Sequence, residues 1–160
     1  IIIEVLTPDF LDDDAAIDTV LAAQPEIFNH NLETVRRLTP SVRSVATYER
    51  SLSVLRKVKD RAPELHTKSG LMLGLGETED ELFEAMRDLR DTNCDILTLG
   101  QYLQPTNKHL PVVEFIHPDK FAKHQRTAES MGFIYVASGP LVRSSYHADE
   151  FYLKKSTLKN

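Results

Sequence analysis

The sequence has very little cysteine, and this scarcity excludes several classes of protein. Cys94 is the single cysteine among 160 residues. One thiol cannot form an internal disulfide, so the chain is not a secreted disulfide-stabilised scaffold. Nor can one thiol supply a four-cysteine zinc site or the ligands of an iron–sulfur cluster. Because Cys94 precedes an apolar run, we expect it to be a small core residue.

Long apolar runs and an excess of basic charge are also missing. No apolar run reaches the roughly 18 residues needed to cross a bilayer. The first ten residues lack the basic segment and cleavage site of a signal peptide, so we expect a cytoplasmic protein. Nineteen Lys and Arg against 24 Asp and Glu give a net charge of −5. This balance argues against electrostatic binding to nucleic acid or to an anionic membrane. The start without Met, inside an apolar run, suggests a truncated sequence or a processed start.

Strand-like and helix-like segments alternate along the chain. Apolar β-branched runs predict strands, and apolar residues at helical spacing predict helices between them. The predicted strands cover residues 1–5, 27–29, 69–75, 95–100 and 133–137. The predicted helices begin near residues 12–14, cover 48–58, follow Thr78 and cover 118–131. Thr78 and Glu81 fit a capping box. The first strand is expected to be buried on both faces, and the alternation predicts an α/β fold with a parallel sheet.

Polar clusters follow four of the predicted strands. In parallel α/β folds, binding and catalytic residues lie at the carboxyl ends of the strands. The clusters cover residues 29–33, 68–77, 100–105 and 143–147. We therefore expect them to meet at one cleft, with Asn29, Glu33, Glu77, Gln101 and Arg143 on the same face of the sheet.

The first two clusters each allow a functional and an ordinary interpretation. Asn29, Asn31 and Glu33 offer donors and acceptors for the hydroxyls of a ribose, or they belong to an ordinary strand-to-helix loop. Gly74 and Gly76 either let a ligand approach the backbone or form a turn that needs positive φ. Their spacing does not match the dinucleotide-binding fingerprint.

The last two clusters also allow more than one interpretation. Gln101 and Gln104 offer hydrogen bonds without charge, or they lie in a polar loop. Arg143 suits a carboxylate or a phosphate. A serine and a histidine follow it, but no G-x-S-x-G elbow is present, so the pair does not indicate a hydrolase triad.

Taken together, the clusters resemble a known family. The motifs NHNLETV, KSGLMLGLGET, ILTLGQYLQP, HLPV and VASGPLVRSSYHA, in this order, are similar to those of lipoyl synthases, which are radical S-adenosylmethionine (radical SAM) enzymes. The resemblance implies an α/β fold, the C-terminal portion of a partial (β/α) TIM-type barrel with parallel strands and outer helices. A complete barrel takes roughly 250 residues, so 160 fit only its later units. Residues 1–151 would form this half-barrel, and 152–160 a polar tail.

The resemblance also implies a function. Lipoyl synthases are sulfurtransferases that insert two sulfur atoms into the octanoyl chain of an octanoylated lipoyl carrier protein. They use S-adenosylmethionine, two 4Fe-4S clusters and a reductant. The family's cysteine motifs lie N-terminal to the matched region, so this chain has no complete cluster site and we expect it to be inactive alone. Two alternatives remain: another radical SAM or (β/α) barrel enzyme with a different substrate, or a non-catalytic half-barrel module.

Residue roles follow from the matched motifs. The strand motif that packs near adenine in the family corresponds to Gly70, Met72, Gly74 and Glu77. The residues placed to hold a ribose or methionine group are Asn29, Asn31 and Glu33. Weaker candidates for the same pocket are Lys68, Gln101 and Gln104.

The fourth cluster matches the family's RSSY motif, in which a serine ligates the auxiliary cluster. The resemblance implies that Arg143 belongs to the cofactor pocket and that Ser145, rather than Ser144, is this metal ligand.

Overall fold

The computed structural model describes residues 1–143, which form one parallel sheet with helices on one face. The five strands pair in chain order, and every pair is parallel. They are β1 (Glu4–Leu6), β2 (Ile27–Asn29), β3 (His66–Leu73), β4 (Ile96–Gln101) and β5 (Tyr135–Gly139). Parallel strands in sequential order are the arrangement of a (β/α) barrel segment. The predicted α/β fold is confirmed. The predicted boundary between residues 1–151 and the tail 152–160 lies outside the described residues, as does the tail itself.

Helices connect the strands as the sequence periodicity predicts. They are α1 (Asp14–Ala22), α2 (Thr39–Val42), α3 (Tyr48–Arg61), α4 (Glu79–Asp91) and α5 (Pro118–Ser130), with a 3-10 turn at Phe10–Asp12. The capping box of α4 is confirmed: Glu81 N donates to Thr78 Oγ1 at 3.3 Å, and Thr78 N donates to Glu81 Oε2 at 2.8 Å. The 3-10 turn and α2, each a single turn, were not predicted because they are too short to show a period.

The two faces of the sheet have different surroundings. Leu71, Leu97 and Leu99 point to the outer face, where they pack with apolar residues of α3, α4 and α5. Phe28 lies on the same face and packs against α1 and α3. On the inner face, a smaller cluster consists of Ile27, Ile96, Tyr135, Ala137 and Val142. All the long helices therefore lie on the outer face, as in a barrel wall.

The expectation for the first strand is wrong. Residues 1–3 are exposed, and β1 begins only at Glu4. Glu4 and Val5 are half-buried and Leu6 is exposed. An apolar run predicts burial only if other elements cover it, and β1 is the edge strand of the sheet in the described part of the chain.

None of the helices within residues 1–143 has the length and apolar character that a bilayer crossing requires.

Candidate functional site

An open cleft of about 380 Å³ lies on the inner face, at the carboxyl ends of β3 and β4. Its lining includes six of the residues that the sequence singled out. These are Asn31, Glu33, Gly70, Met72, Gln101 and Arg143. Parallel strands bring their carboxyl ends to the same edge, which explains why residues distant in sequence meet there.

Asn31 and Glu33 reach the cleft because the chain after β2 stays bonded to β3. His30 N donates to Lys68 O at 3.0 Å, and Glu33 N donates to Gly70 O at 2.9 Å. Met72 N donates back to Glu33 O at 2.8 Å. Glu33 has φ 71, a left-handed conformation that is uncommon for a residue with a side chain. These bonds hold the segment in this conformation at the rim of the cleft.

Position 70 must be a glycine because neighbouring side chains occupy the space that a Cβ would need. A Cβ on Gly70 would lie 2.7 Å from Thr98 Oγ1 and 3.0 Å from Asn31 Oδ1. Asn31 Oδ1 is buried and has no hydrogen-bond partner among residues 1–143. An unpaired buried acceptor is costly unless something else bonds to it. It is therefore suited to a donor group of a bound ligand, such as a hydroxyl.

The carboxyl group of Glu33 is electrostatically unusual. Burial raises its pKa above the ordinary value, and a hydrogen bond from the Asn31 side chain and the positive charge of Arg43 oppose that shift. The guanidinium of Arg43 also donates to Asn31 O at 3.2 Å. Glu33 is thus a half-buried acceptor beside the unpaired oxygen of Asn31.

Asn29 and Lys68 do not line the cleft. They lie on the inner face, one layer nearer the amino ends of the strands, where both are buried. Lys68 Nζ donates to both carboxylate oxygens of Glu4, each at 2.9 Å. Asn29 Nδ2 donates to Glu4 Oε1 at 2.7 Å. The structure thus places both residues in a buried ion-pair cluster with Glu4.

Gln101 lines the cleft, but its amide is fully occupied by main-chain groups. Its Nε2 donates to Tyr102 O at 3.0 Å and to Glu114 O at 3.1 Å. Its Oε1 accepts from Ile116 N at 2.9 Å. Gln104 is exposed, donates to His109 O at 2.8 Å and lies outside the cleft. This geometry favours the polar-loop interpretation of the third cluster, in which Gln101 anchors the segment before α5.

Gly74 and Glu77 form a turn, and they are not part of the cleft lining. Gly74 and Gly76 have φ 99 and 100. A Cβ on Gly74 would clash with Glu114 O, so the chain's own loop approaches this glycine closely. The carboxylate of Glu77 accepts from Gly74 N at 2.7 Å and from Leu75 N at 2.9 Å. The second cluster is therefore divided, with Gly70 and Met72 at the cleft and the later residues in a turn.

Arg143 is exposed at the cleft, and Nη1 donates to Val142 O at 2.8 Å. The segment after β5 crosses the inner face here because Gly100 has no side chain; a Cβ on Gly100 would clash with Val142 O. The predicted metal ligand Ser145, and its alternative Ser144, lie outside the described residues.

Metal ligands are not gathered within residues 1–143. No group of three or more His, Cys, Asp or Glu side chains in that range is placed to hold a metal ion. Cys94 is fully buried, as predicted for a core residue, and burial raises the pKa of its thiol to about 12. Its thiol is therefore unsuited to act as a thiolate ligand.

Sequence reasoning missed some residues of the cleft lining and one residue that bonds to the cleft segment from outside the lining. Thr98 lies on the inner face of β4, and Leu6 lies at the end of β1. Arg43, which bonds to the cleft segment from behind, lies in an irregular segment before α3. A signal for Thr98 was available, since a polar residue inside an apolar strand suggests a lined cavity. Nothing in the local pattern marked Arg43.

Comparison with known proteins gives consistent matches. Residues 1–89 match the model of the radical SAM superfamily. A protein from Halalkalibacterium halodurans named "Lipoyl synthase" is 59% identical over 148 residues, which cover 92% of this chain and 49% of that protein. Proteins of the same name from Caldanaerobacter subterraneus and Anaeromyxobacter sp. are 54% and 57% identical, and the matches cover 52% and 53% of their lengths. The chain thus spans about half the length of these relatives. These matches agree with the resemblance carried by the motifs.

Proposed function

Since this chain belongs to the radical SAM superfamily, we propose that it forms the later strands and helices of a lipoyl synthase. The observation that carries the proposal is the cleft at which Asn31, Glu33, Gly70 and Met72 meet. Identities of 54% to 59% to proteins named lipoyl synthase support this choice over other radical SAM enzymes. The reaction would be insertion of two sulfur atoms into an octanoyl chain on a lipoyl carrier protein in the cytoplasm, with a separate reductant.

The cleft residues fit S-adenosylmethionine. The unpaired Asn31 Oδ1 and the Glu33 carboxylate are acceptors for the two hydroxyls of its ribose. Met72, beside the bare backbone of Gly70, offers an apolar surface for a flat base. Arg143 lies at the mouth and suits the carboxylate of the methionine part. When bound, S-adenosylmethionine supplies the chemistry that removes hydrogen atoms from unactivated carbons.

Other cleft residues would exclude water and position the alkyl chain. Leu6, Leu103 and Val142 line the cleft together with the polar residues. A cleft lined by apolar as well as polar side chains suits a substrate that is alkyl at the reacting carbons. The protein's part in such chemistry is to orient the partners and keep solvent away.

The iron–sulfur clusters do not fit residues 1–143, because these residues include a single, buried cysteine. Their ligands would come from elsewhere, with Ser145 as one proposed ligand of the auxiliary cluster.

A hybrid protein tests the function. In the Halalkalibacterium halodurans relative, the matched segment of 148 residues is replaced by the corresponding segment of this chain. After anaerobic assembly of the clusters, we expect the hybrid to convert octanoylated carrier protein to the lipoylated form, which mass spectrometry measures. The unmodified relative is the positive control.

Two results of this experiment test the lipoyl synthase assignment and the role of Glu33 separately. A folded hybrid that binds S-adenosylmethionine but forms no lipoyl product would contradict the lipoyl synthase assignment and favour a different substrate. In an active hybrid, Glu33→Ala should weaken S-adenosylmethionine binding by calorimetry more than it changes the melting temperature. Unchanged binding would remove Glu33 from the site.

A further inference from the structure

Three buried or half-buried polar side chains, which we call the rear network, support the cleft from its outer side: His30, Arg43 and Ser51. Ser51, on α3, is 0% exposed, and His30, directly after β2, is 1% exposed. His30 Nε2 lies 2.9 Å from Ser51 Oγ, and Arg43 Nη1 donates to the same oxygen at 2.8 Å. Arg43 lies between α2 and α3, so the network joins three separate parts of the chain.

The hydrogen-bond directions in this network follow from its acceptors. His30 Nδ1 lies 2.9 Å from the main-chain oxygen of Thr7, which can only accept, so Nδ1 carries the proton. In the neutral ring Nε2 is then an acceptor, and the hydroxyl of Ser51 donates to it. Ser51 Oγ in turn accepts from Arg43. With His30 neutral each of these groups has a partner, whereas in a protonated ring Nε2 would donate and the Ser51 hydroxyl would lose His30 as its acceptor.

The electrostatic surroundings keep His30 neutral. Burial lowers the pKa of His30, and the positive charge of Arg43 lowers it further, against the opposing effects of the Thr7 hydrogen bond and of Asp9. Asp9 is itself paired with Arg50 Nε at 2.6 Å. The network therefore keeps one set of hydrogen-bond directions at neutral pH.

The far end of the network acts on the cleft segment. The same Nη1 of Arg43 that is held by Ser51 donates to Asn31 O at 3.2 Å. Asn31 carries the unpaired Oδ1 that approaches Gly70. The positive charge of Arg43 also opposes the effect of burial on the pKa of Glu33. Arg43 thus holds the main chain of Asn31 and acts electrostatically on Glu33, while lying outside the cleft lining itself.

We propose that Arg43, held by Ser51 and His30, is a positioning residue for the ligand of this cleft: it fixes the main chain of Asn31 and places a positive charge behind the cleft segment. This inference rests on the part of the proposed function that places S-adenosylmethionine in the cleft. It does not depend on which substrate is then modified. Arg43 acts through Asn31 and Glu33, so it differs in kind from a residue that contacts the ligand.

The hybrid protein with assembled clusters provides the test, with Arg43→Gln as the main variant. The glutamine retains N–H donors but has no charge. We expect the dissociation constant of S-adenosylmethionine, measured by calorimetry, to rise about tenfold, as for loss of a hydrogen bond from a charged group. The lower pH limit of binding should also move upward. Without the charge of Arg43, Glu33 is protonated at higher pH; Arg143 is the cation of the cleft lining among residues 1–143 and is unchanged in this variant.

Three further variants separate positioning from simple structural support. Arg43→Lys retains the charge and should restore the pH limit of binding, even if it recovers only part of the affinity. Ser51→Ala removes the group that orients Arg43 and should weaken binding in the same direction. Arg56→Gln, at an exposed arginine of α3, is the matched control and should leave binding unchanged.

A melting temperature is recorded for each variant. If Arg43→Gln lowers it but leaves the dissociation constant and its pH limit unchanged, Arg43 only supports the fold and the inference is overturned. Equal pH limits for Arg43→Gln and Arg43→Lys would also overturn it. Formation of the lipoyl product by the unsubstituted hybrid is measured separately, so failure of the proposed function is distinguishable from failure of this inference.

Discussion

The outer and inner faces of the sheet use alternate residues of the same strands, yet they bury different kinds of side chain. On β4, the outward residues Leu97 and Leu99 are 0% exposed and belong to the large apolar core. The inward residues Thr98 and Gly100 alternate with them along the strand and line the cleft. β3 repeats this contrast, with Leu71 and Leu73 outward. Successive side chains of a strand point to opposite faces, so the same strand can pack against helices on one face and line a cleft on the other.

The difference shows which face contributes most to stability, and it supports the proposal that the other face binds a ligand. The outer face buries large aliphatic groups against helices, which is the main source of folding free energy. The inner face instead contains a buried ion pair, an unpaired acceptor and glycines whose space other groups occupy. Lys68 with Glu4, Asn31 and Gly70 are examples. The unpaired oxygen of Asn31 and the backbone of Gly70 lie at the cleft, where the proposed ligand would use them, whereas the ion pair lies one layer away.

The largest expected effect comes from truncating the outer face. Leu97→Ala removes a fully buried side chain and leaves a cavity, so we expect the hybrid to lose about 3 kcal/mol of unfolding free energy. Its inward neighbour provides the matched comparison: Thr98→Ala should cost about 1 kcal/mol or less. Urea denaturation of both variants measures the difference. Similar losses of unfolding free energy for the two variants would contradict the conclusion that the outer face contributes most of the stability.

The next effect concerns the buried ion pair of the inner face. Lys68→Met leaves the Glu4 carboxylate, whose side chain is 15% exposed, without its cation. We expect a loss of about 2 kcal/mol, below the value for a fully buried pair because solvent reaches Glu4.

The double variant Glu4→Gln with Lys68→Met is the control for this prediction, because it leaves no unpaired charge. It should be more stable than Lys68→Met alone, again by urea denaturation. If the double variant is as unstable as the single one, the stabilising contribution of Lys68 comes from packing and not from the ion pair.

The sequence predicted the fold and part of the site for identifiable reasons. Strands and long helices carry periodic signals, and the capping box of Thr78 and Glu81 is a local pattern. The rule that function lies at strand ends placed Asn31 and Glu33 at the cleft. β3 was predicted to reach residue 75, but it ends at Leu73, because Gly74 adopts a positive φ that a strand does not use.

What could not be predicted depends on contacts through irregular segments. Gln101 looked available for a ligand, but its amide bonds to main-chain groups of Glu114 and Ile116, at the end of a loop with no periodic pattern. Arg43 lies in a segment without a periodic pattern, yet it bonds to the main-chain oxygen of Asn31, 12 positions earlier. Residue type indicates which hydrogen bonds a side chain can make, and only the three-dimensional path of the loop decides which groups are within reach.

The smallest expected effect is that of Glu33→Gln. This variant tests whether the charged carboxylate of Glu33 in the cleft lowers the stability of the fold. Burial raises the pKa of Glu33 above its ordinary value of 4.5. A carboxyl group with a raised folded-state pKa favours the fold while it is protonated, below that ordinary value, and this contribution is lost as pH rises through the folded-state pKa. At neutral pH the ionised Glu33 therefore destabilises the fold. Glutamine has the same shape without the charge, so Glu33→Gln should raise the melting temperature slightly at neutral pH.

The advantage of Glu33→Gln should shrink as the pH is lowered and disappear below about 4.5, where the wild-type carboxyl group is protonated in both states. Glu64→Gln, at an exposed carboxylate, changes the net charge equally and should show no such trend.

Binding of S-adenosylmethionine should change in the opposite direction to stability. Calorimetry should show weaker binding, since Glu33→Gln removes a charged acceptor for the ligand's hydroxyls. A variant that is more stable at neutral pH but binds S-adenosylmethionine more weakly would identify Glu33 as a residue retained for binding at the expense of stability. A melting temperature that falls equally at every pH would instead show that Glu33 supports its own loop.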